Sequence, residues 1–145
     1  MRVSDICSSS VVAVDVGDSL ATAVGRMLDE DVGSAVVVDA EEPVGILTKS
    51  DVLRAAHRTD EPLSSIPVRA AASAPLVTVG PSATARRAAE MLDDHDIHRL
   101  VVVDDLDVVG IVSTTDIVRN YGGIRSDAQK RADAEYDWLT REDVE

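Results

Sequence analysis

Along the chain, a short continuous run of apolar residues is followed by a stretch in which apolar residues lie three to four positions apart. This succession occurs twice. The short β-branched runs VVAV (11–14) and LVTV (76–79) each predict a strand. A stretch with apolar residues three to four positions apart follows each run and predicts an amphipathic helix. AVVVD and LVVVD then predict strands buried on both faces, VGIL and VGIV a third strand, and SDVLRAAH and TTDIVRNYG a second helix. The pattern therefore predicts the order strand, helix, strand, strand, helix, used twice.

The first helix of each unit carries a start signal and an apolar face. Ser19 or Asp18 is expected to cap the helix in GDSLATAVGRMLDED. In the equivalent PSATARRAAEMLDDH, Pro81 and Ser82 are expected to open it. The predicted inward faces of the two helices are Leu20, Ala23, Val24, Met27 and Leu28, and then Ala85, Ala88, Ala89 and Leu92.

An internal repeat explains this succession. PVGILTKSDVLR (43–54) and VVGIVSTTDIVR (108–119) are in register at a separation of 65 positions, and GSAVVVD and HRLVVVD continue that register upstream. MLDE and MLDD lie 64 positions apart, so the following loop differs by one residue. A unit of about 60 residues is marginal by itself. We therefore predict an α+β fold in which two pseudo-symmetric β-α-β-β-α repeats pack on each other.

The repeats suggest a division of the chain into three parts. The first repeat occupies residues 1–60, and residues 61–123 hold a proline-containing connection and the second repeat. The last predicted helix is expected to stop at Gly122 and Gly123. Residues 124–145 form an acidic segment of helical pattern, for which packing or a dimer contact is the expected role.

Charge and composition exclude several classes of protein. The formal net charge is −13, with 27 acidic and 14 basic residues, and aromatic residues make up only 2% of the chain. Such a surface repels a phosphate backbone and lacks stacking platforms, which argues against nucleic-acid binding. Solubility or adaptation to high salt explains the acidity, and we favour salt adaptation.

Cys7 is the single cysteine, so an internal disulfide and a thiolate metal cluster are excluded. The chain has no apolar run long enough to span a membrane and no signal core, and we expect a cytoplasmic protein without membrane association.

The repeated phrase places two hydroxyls and a carboxylate where a strand ends and a helix begins. These residues are Thr48, Ser50 and Asp51, and then Ser113, Thr115 and Asp116. Free amides at a helix start attract phosphate, and a fixed carboxylate can accept hydrogen bonds from ribose hydroxyls. The same residue types are also ordinary helix caps. Gly45 and Gly110 remove a side chain where a ligand or another backbone comes close.

His98 and Arg99 stand directly before a buried strand, where a basic pair is costly unless it faces an anion. A solvated loop is the alternative. The first repeat has Gly33 and Ser34 at these positions. His95 and His98 could suggest a metal site among the neighbouring aspartates, but a solvated acidic turn is the preferred interpretation, and no metal is predicted.

The whole pattern resembles a tandem pair of cystathionine-beta-synthase (CBS) domains, also called a Bateman module. The second repeat, IHRLVVVDDLDVVGIVSTTDIV, is similar to the last repeat of the gamma subunit of AMP-activated protein kinase. The resemblance covers residues 1–122 and implies two clefts between the sheets for adenosine ligands such as AMP, ADP, ATP or S-adenosylmethionine. It also implies a homodimer.

The resemblance assigns residues to both clefts. The first cleft would use Ile46, Thr48, Ser50 and Asp51, closed by Val77, Thr78, Ile97, His98 and Arg99. The second would use Ile111, Ser113, Thr115 and Asp116, completed by Ser10, Val32 and Gly33. Because Gly33 and Ser34 cannot replace the charges of His98 and Arg99, we predict that the Asp51 cleft binds a phosphorylated ligand more tightly.

Three functions remain open on the sequence. The preferred one is a non-enzymatic sensor that binds an adenosine ligand, needs no other cofactor and regulates a separate, unknown protein. An enzyme with His98 as base and Ser113 or Thr48 as nucleophile is less favoured, because the chain has three histidines and none of the motifs G-x-S-x-G, H-E-x-x-H or the Walker loop. The third is a structural dimer with vestigial pockets.

Overall fold

In the computed structural model, which describes residues 1–127, the chain forms two three-stranded sheets with helices packed against them. The first repeat contains α1 (Val3–Ile6), β1 (Ala13–Asp15), α2 (Leu20–Asp29), β2 (Ser34–Asp39), β3 (Glu42–Thr48) and α3 (Lys49–Thr59). Two 3₁₀ turns follow, at Leu63–Ser65 and Val68–Ala70. The second repeat contains β4 (Thr78–Val79), α4 (Ala85–Asp94), β5 (Arg99–Asp104), β6 (Asp107–Ser113) and α5 (Thr114–Arg119).

The two sheets have the same topology. Their strand orders are β1-β2-β3 and β4-β5-β6, and in each the first pair is parallel and the second antiparallel. A parallel pair needs a crossover, which α2 and α4 supply. Both antiparallel ladders shift register at the same place, between Val37 and Val38 and between Val102 and Val103. The predicted α+β class and the β-α-β-β-α order are confirmed.

The helix starts follow hydroxyl caps. The Ser19 hydroxyl accepts a hydrogen bond from the Thr22 amide at 3.2 Å, and the Thr84 hydroxyl accepts one from the Arg87 amide at 3.0 Å. The prediction for Ser19 is confirmed. The expectation that Pro81 and Ser82 open the second helix is wrong, because Thr84 stands 65 positions after Ser19 and satisfies the free amide in the same way.

The predicted helix end at Gly122 and Gly123 is also wrong. Helix α5 ends at Arg119, where the Asn120 side-chain amide donates to the Asp116 carbonyl at 2.8 Å, and residues 121–127 are again helical. A Cβ on Gly123 would lie 2.7 Å from the Met1 methyl carbon, so this glycine allows a close contact with the N-terminus. The predicted helix over the rest of the tail lies outside the described residues.

Three apolar clusters hold the fold together. One lies inside each repeat between its sheet and its helices, and a third lies between the sheets, with Val36, Val101 and Ile111 at its centre. The two repeats therefore pack through their sheets, as predicted. One predicted core residue is wrong: Leu28 is 71% exposed, because α2 turns Leu20, Ala23 and Met27 towards the sheet instead.

Two segments outside the β-α-β-β-α units contribute buried residues to the cores. Val3 and Ile6 of α1 are buried in the core of the second repeat, whereas Ile66 and Val68 of the connection are buried in the core of the first. Each repeat thus completes its core with a segment that precedes or follows it in the chain. None of the helices within residues 1–127 is both long enough and apolar enough to cross a membrane.

Candidate functional site

The strand-to-helix junction of each repeat is closed by a reciprocal pair of hydrogen bonds. The Thr48 hydroxyl accepts from the Asp51 amide at 3.2 Å, and the Asp51 carboxylate accepts from the Thr48 amide at 2.9 Å. Ser113 and Asp116 form the same pair at 3.1 and 2.8 Å. The repeated hydroxyl and carboxylate positions are therefore capping boxes, as the structural alternative predicts. Capping occupies one carboxylate oxygen of Asp51, and its other oxygen lies 3.4 Å from the Arg54 guanidinium.

Removing either capping hydroxyl should weaken the fold moderately. We expect Thr48→Ala and Ser113→Ala each to lower the free energy of unfolding by about 1 kcal/mol, because the Asp51 or Asp116 amide loses its acceptor. Urea denaturation measures this change. Ser50→Ala is the matched control, since its side chain is exposed in the first turn of α3. Equal stability of Thr48→Ala and Ser50→Ala would contradict the capping role.

The glycines of the repeated phrase admit a neighbouring backbone. Ile46 exchanges backbone hydrogen bonds with Ser73, and Ile111 exchanges them with Ser8. A Cβ on Gly45 would lie 2.6 Å from the Ser73 carbonyl oxygen, and a Cβ on Gly110 would lie 2.7 Å from that of Ser8. Of the two sequence alternatives, a ligand or another backbone, the described residues therefore show a backbone at both glycines.

The loops that precede β2 and β5 lie beside the junctions of their own repeats. The Gly33 carbonyl accepts from the Lys49 amide at 3.2 Å, and the His98 carbonyl accepts from the Thr114 amide at 2.9 Å. Ile97, His98 and Thr114 also line an outer groove of about 250 Å³ between α4 and α5. The structure thus brings Ile97 and His98 together with the second junction, whereas the resemblance grouped them with Asp51.

Arg99 does reach the first repeat. Its backbone pairs with Ser113 between β5 and β6, but its guanidinium lies 3.2 Å from the point that a Cβ on Gly33 would occupy. The Lys49 side chain lies 3.8 Å from the same point. Two basic side chains therefore approach Gly33, next to the start of α3.

The other predicted residues are placed as follows. Val77 and Val32 pack against the cores of their own repeats, and Thr78 is exposed in β4. Ser50 and Thr115 are exposed in the first turns of α3 and α5. Ser10 is exposed and lines a cavity of about 440 Å³ beside α2, where the Arg26 guanidinium donates to the Ala13 carbonyl at 2.6 Å.

Within residues 1–127, no three His, Cys, Asp or Glu side chains are grouped to hold a metal ion.

Sequence reasoning missed the roles of four residues at these junctions. Lys49 lies beside Arg99, Cys7 and Ser8 lie beside β6, and Ser73 lies beside β3. One indication of these contacts is present in the sequence, because Ser8 and Ser73 are 65 positions apart, as are the other equivalent residues of the two repeats. Their pairing with β6 and β3 depends on chain segments far apart in sequence, which no local pattern reveals.

Cys7 belongs to the surroundings of the second junction. Burial raises the pKa of the Cys7 thiol above its ordinary value, the charge of Asp116 raises this pKa further, and a backbone hydrogen bond partly opposes both. The thiolate is therefore disfavoured in the folded protein. The protonated Cys7 thiol makes its full contribution to the free energy of unfolding when the pH is below the thiol's unfolded-state pKa. This contribution is lost as the pH rises through the folded-state pKa.

Alkylation of Cys7 tests this environment. We expect iodoacetamide at pH 8 to react more slowly with the folded protein than with the urea-unfolded chain, because the thiolate is the reactive form. Asp116→Asn should speed the folded-state reaction, whereas Asp94→Asn, an exposed aspartate at the end of α4, should not. An unchanged rate in Asp116→Asn would show that the charge of Asp116 does not reach the thiol.

Comparison with known proteins agrees with this architecture. The fold is that of a tandem pair of α+β repeats joined through their sheets. The sequence model of the CBS domain matches residues 3–58 and 66–123, and the chain belongs to the CBS domain family.

Among curated proteins, the chain is 30% identical over 140 residues to the uncharacterised protein MJ1404 of Methanocaldococcus jannaschii, covering 88% of this chain and 33% of that protein. It is 29% identical over 119 residues to the CBS domain-containing protein YhcV of Bacillus subtilis, covering 81% of this chain and 84% of YhcV. The chain thus spans a third of the first relative and most of the second.

Solved structures show the same fold. The CBS domain protein NE2398 matches with a TM-score of 0.74 and 25% identity, covering 83% of this chain and 97% of that one. The CBS domain pair of MJ0100, solved with 5′-methylthioadenosine and S-adenosyl-L-methionine, matches with a TM-score of 0.73 and 25% identity, covering 85% and 97%. A hexameric CBS-CP12 protein of bloom-forming cyanobacteria has a TM-score of 0.79 at 20% identity and shows the fold alone.

Proposed function

We propose that this protein is a non-enzymatic regulatory module that binds an adenosine-containing ligand between its two CBS domains and thereby alters a separate protein. CBS domains are typically regulatory, and the similar MJ0100 pair was solved with two adenosine compounds. AMP, ADP, ATP and S-adenosylmethionine are the candidate ligands. A ligand regulates only through its different affinity for two states of the module, so binding must favour one of them.

The approach of the Arg99 and Lys49 side chains to Gly33, at the start of the helix that carries Asp51, supports the proposal most directly. The chain has a net charge of −13, yet these two cations approach the same point, and among the described residues neither forms an ion pair with a carboxylate. A phosphate group there would gain charge-assisted hydrogen bonds. The buried Asp51 carboxylate lies at the same helix start, and its oxygens can accept a hydrogen bond from a ribose hydroxyl.

The same charges support a difference between the clefts. The first repeat has Lys49 where the second has Thr114, and the Arg99 guanidinium also lies at the first repeat. We therefore propose that the Asp51 cleft takes the more highly phosphorylated ligand, and that the Asp116 cleft binds it more weakly or prefers an adenosine compound with less charge.

The proposal includes a homodimer in a salt-rich cytoplasm. Leu28 and Leu53 are each 71% exposed on α2 and α3, and Val118 is 67% exposed on α5. Large apolar side chains exposed on helix surfaces are suited to contact with a second copy. Light scattering at low and high salt tests this association, and a monomer under both conditions would remove the dimer from the proposal.

Thermal unfolding at high salt tests ligand binding. A ligand present at about 100 times its Kd should stabilise the folded protein by about 2.7 kcal/mol. AMP, ADP, ATP, S-adenosylmethionine and NAD would each be added to the wild type, Asp51→Asn and the exposed control Asp94→Asn. Asparagine keeps a side-chain oxygen that can accept from the Thr48 amide, so this variant removes the charge while retaining the cap.

Each result distinguishes the candidate functions. The proposal predicts stabilisation by at least one adenosine ligand, weakened in Asp51→Asn and unchanged in Asp94→Asn. No stabilisation by any of the five compounds would favour the structural dimer with vestigial pockets. Chemical conversion of a bound ligand during incubation would favour an enzyme.

A further inference from the structure

Arg99 spans the distance between the two predicted clefts. Its backbone is fixed in the second repeat, where it pairs with Ser113 at the junction that Asp116 caps. Its guanidinium lies in the first repeat, 3.2 Å from the Cβ position of Gly33. Gly33 in turn accepts a hydrogen bond from Lys49 at the start of α3. Arg99 therefore has its backbone at the second junction and its guanidinium beside the first.

We propose that Arg99 is shared between the two clefts, so that a phosphorylated ligand in one cleft weakens the binding of a phosphorylated ligand in the other. This inference rests on the proposed function and adds a rule for the occupancy of its two sites. Coupling of this kind is reciprocal, because each ligand must change the affinity of the other by the same factor.

The coupling arises because one guanidinium can form its strongest hydrogen bonds with only one phosphate group at a time. Its donors form a rigid planar fork, which pairs with a single phosphate group in the strongest geometry. A ligand at Asp51 would hold Arg99 in its present position near Lys49. The Asp116 cleft would then lack this cation, and Thr114 offers no charge in the place of Lys49. A ligand without phosphate makes no use of Arg99 and should not be coupled.

Gly33 is part of this arrangement. Any side chain at position 33 would meet the Arg99 guanidinium at 3.2 Å and the Lys49 side chain at 3.8 Å. A methyl group there would displace the flexible end of Arg99 by a few tenths of an ångström without changing any charge. Glycine at this position therefore keeps the space that Arg99 uses in the first repeat.

Calorimetric titration of the full chain with AMP and with adenosine tests the coupling. The proteins are the wild type, the single-cleft variants Asp51→Asn and Asp116→Asn, and Arg99→Gln. We expect the second AMP to bind the wild type about fivefold or more weakly than AMP binds the corresponding single-cleft variant. Adenosine should show no such difference. The difference should also vanish in Arg99→Gln and remain in Arg58→Gln, an exposed arginine near the end of α3.

A second pair of variants covers the case in which Arg99→Gln does not fold. Gly33→Ala should reduce the coupling, whereas Gly25→Ala should leave it unchanged, because a Cβ on Gly25 has no atom within 4 Å.

The outcomes separate the inference from the proposed function. Two AMP sites with the affinities of the single-cleft variants would overturn the coupling and leave the proposed function standing. Equal coupling for AMP and adenosine would also overturn the role of Arg99. Failure of AMP to bind the wild type would overturn the coupling, whereas the proposed function would fall only if the thermal-unfolding series also showed no stabilisation by any adenosine ligand.

Discussion

Replacing Leu100 with alanine should lower the free energy of unfolding by about 2–5 kcal/mol. Leu100 is completely buried in β5, where it is paired with Val112 and lies in the core of the second repeat. The shortened side chain would lose its transfer free energy and leave a cavity beneath α1 and α4 that the surrounding elements can fill only in part. Urea denaturation followed by circular dichroism would measure the loss.

Leu106→Ala is the matched control for this prediction. Leu106 lies in the turn between β5 and β6 and is 90% exposed, so the same chemical change should have little effect there. Similar losses in the two variants would mean that the second-repeat core does not carry the stability assigned to it.

The double variant Gly45→Ala and Gly110→Ala should lose about 2–6 kcal/mol of stability. Each new Cβ would lie within 2.7 Å of a backbone carbonyl oxygen, that of Ser73 or that of Ser8. Backbone atoms cannot rotate away as a side chain does, so the paired segments must separate. Overpacking of this kind costs about 1–3 kcal/mol at one site, and the two sites have different partners, so the costs should add. Thermal and urea unfolding of the two single variants and the double variant would measure them.

Gly25→Ala provides the opposite expectation. Gly25 lies inside α2, and a Cβ there would have no atom within 4 Å. Alanine should raise the stability by about 0.5–1 kcal/mol, because glycine is a poor helix residue. Stabilisation by all three substitutions would contradict the close approach of Ser73 and Ser8 to the repeated phrase.

These contacts connect stability to the proposed binding site. Ser8 and Ser73 extend the outer edges of β6 and β3, next to the junctions capped by Asp116 and Asp51. Separating either segment would therefore alter a proposed cleft as well as a core. We expect a ligand that fills both clefts to recover part of the stability lost in a glycine variant, since binding to the folded state alone stabilises it.

Local patterns determined the order of the elements and their caps. The apolar spacing predicted the two β-α-β-β-α units, and the hydroxyls of Ser19 and Thr48 lie where helices begin. Such features depend on residues within one turn of each other, which the sequence displays directly. The same reasoning was wrong for Leu28, because it is the packing against the sheet that decides which edge of an apolar stripe is buried.

The repeated patterns along the chain predict the duplicated fold, the repeated capping residues and a basic pair at the start of β5. Three features became visible only in the folded protein: α1 completes the second core, Ser8 and Ser73 approach the glycines, and the Arg99 side chain reaches Gly33 and Lys49. Each of these contacts joins residues that are far apart along the chain. A helix of four residues such as α1, or one long side chain, leaves no periodic signal, and its partner is set by how two distant surfaces fit together.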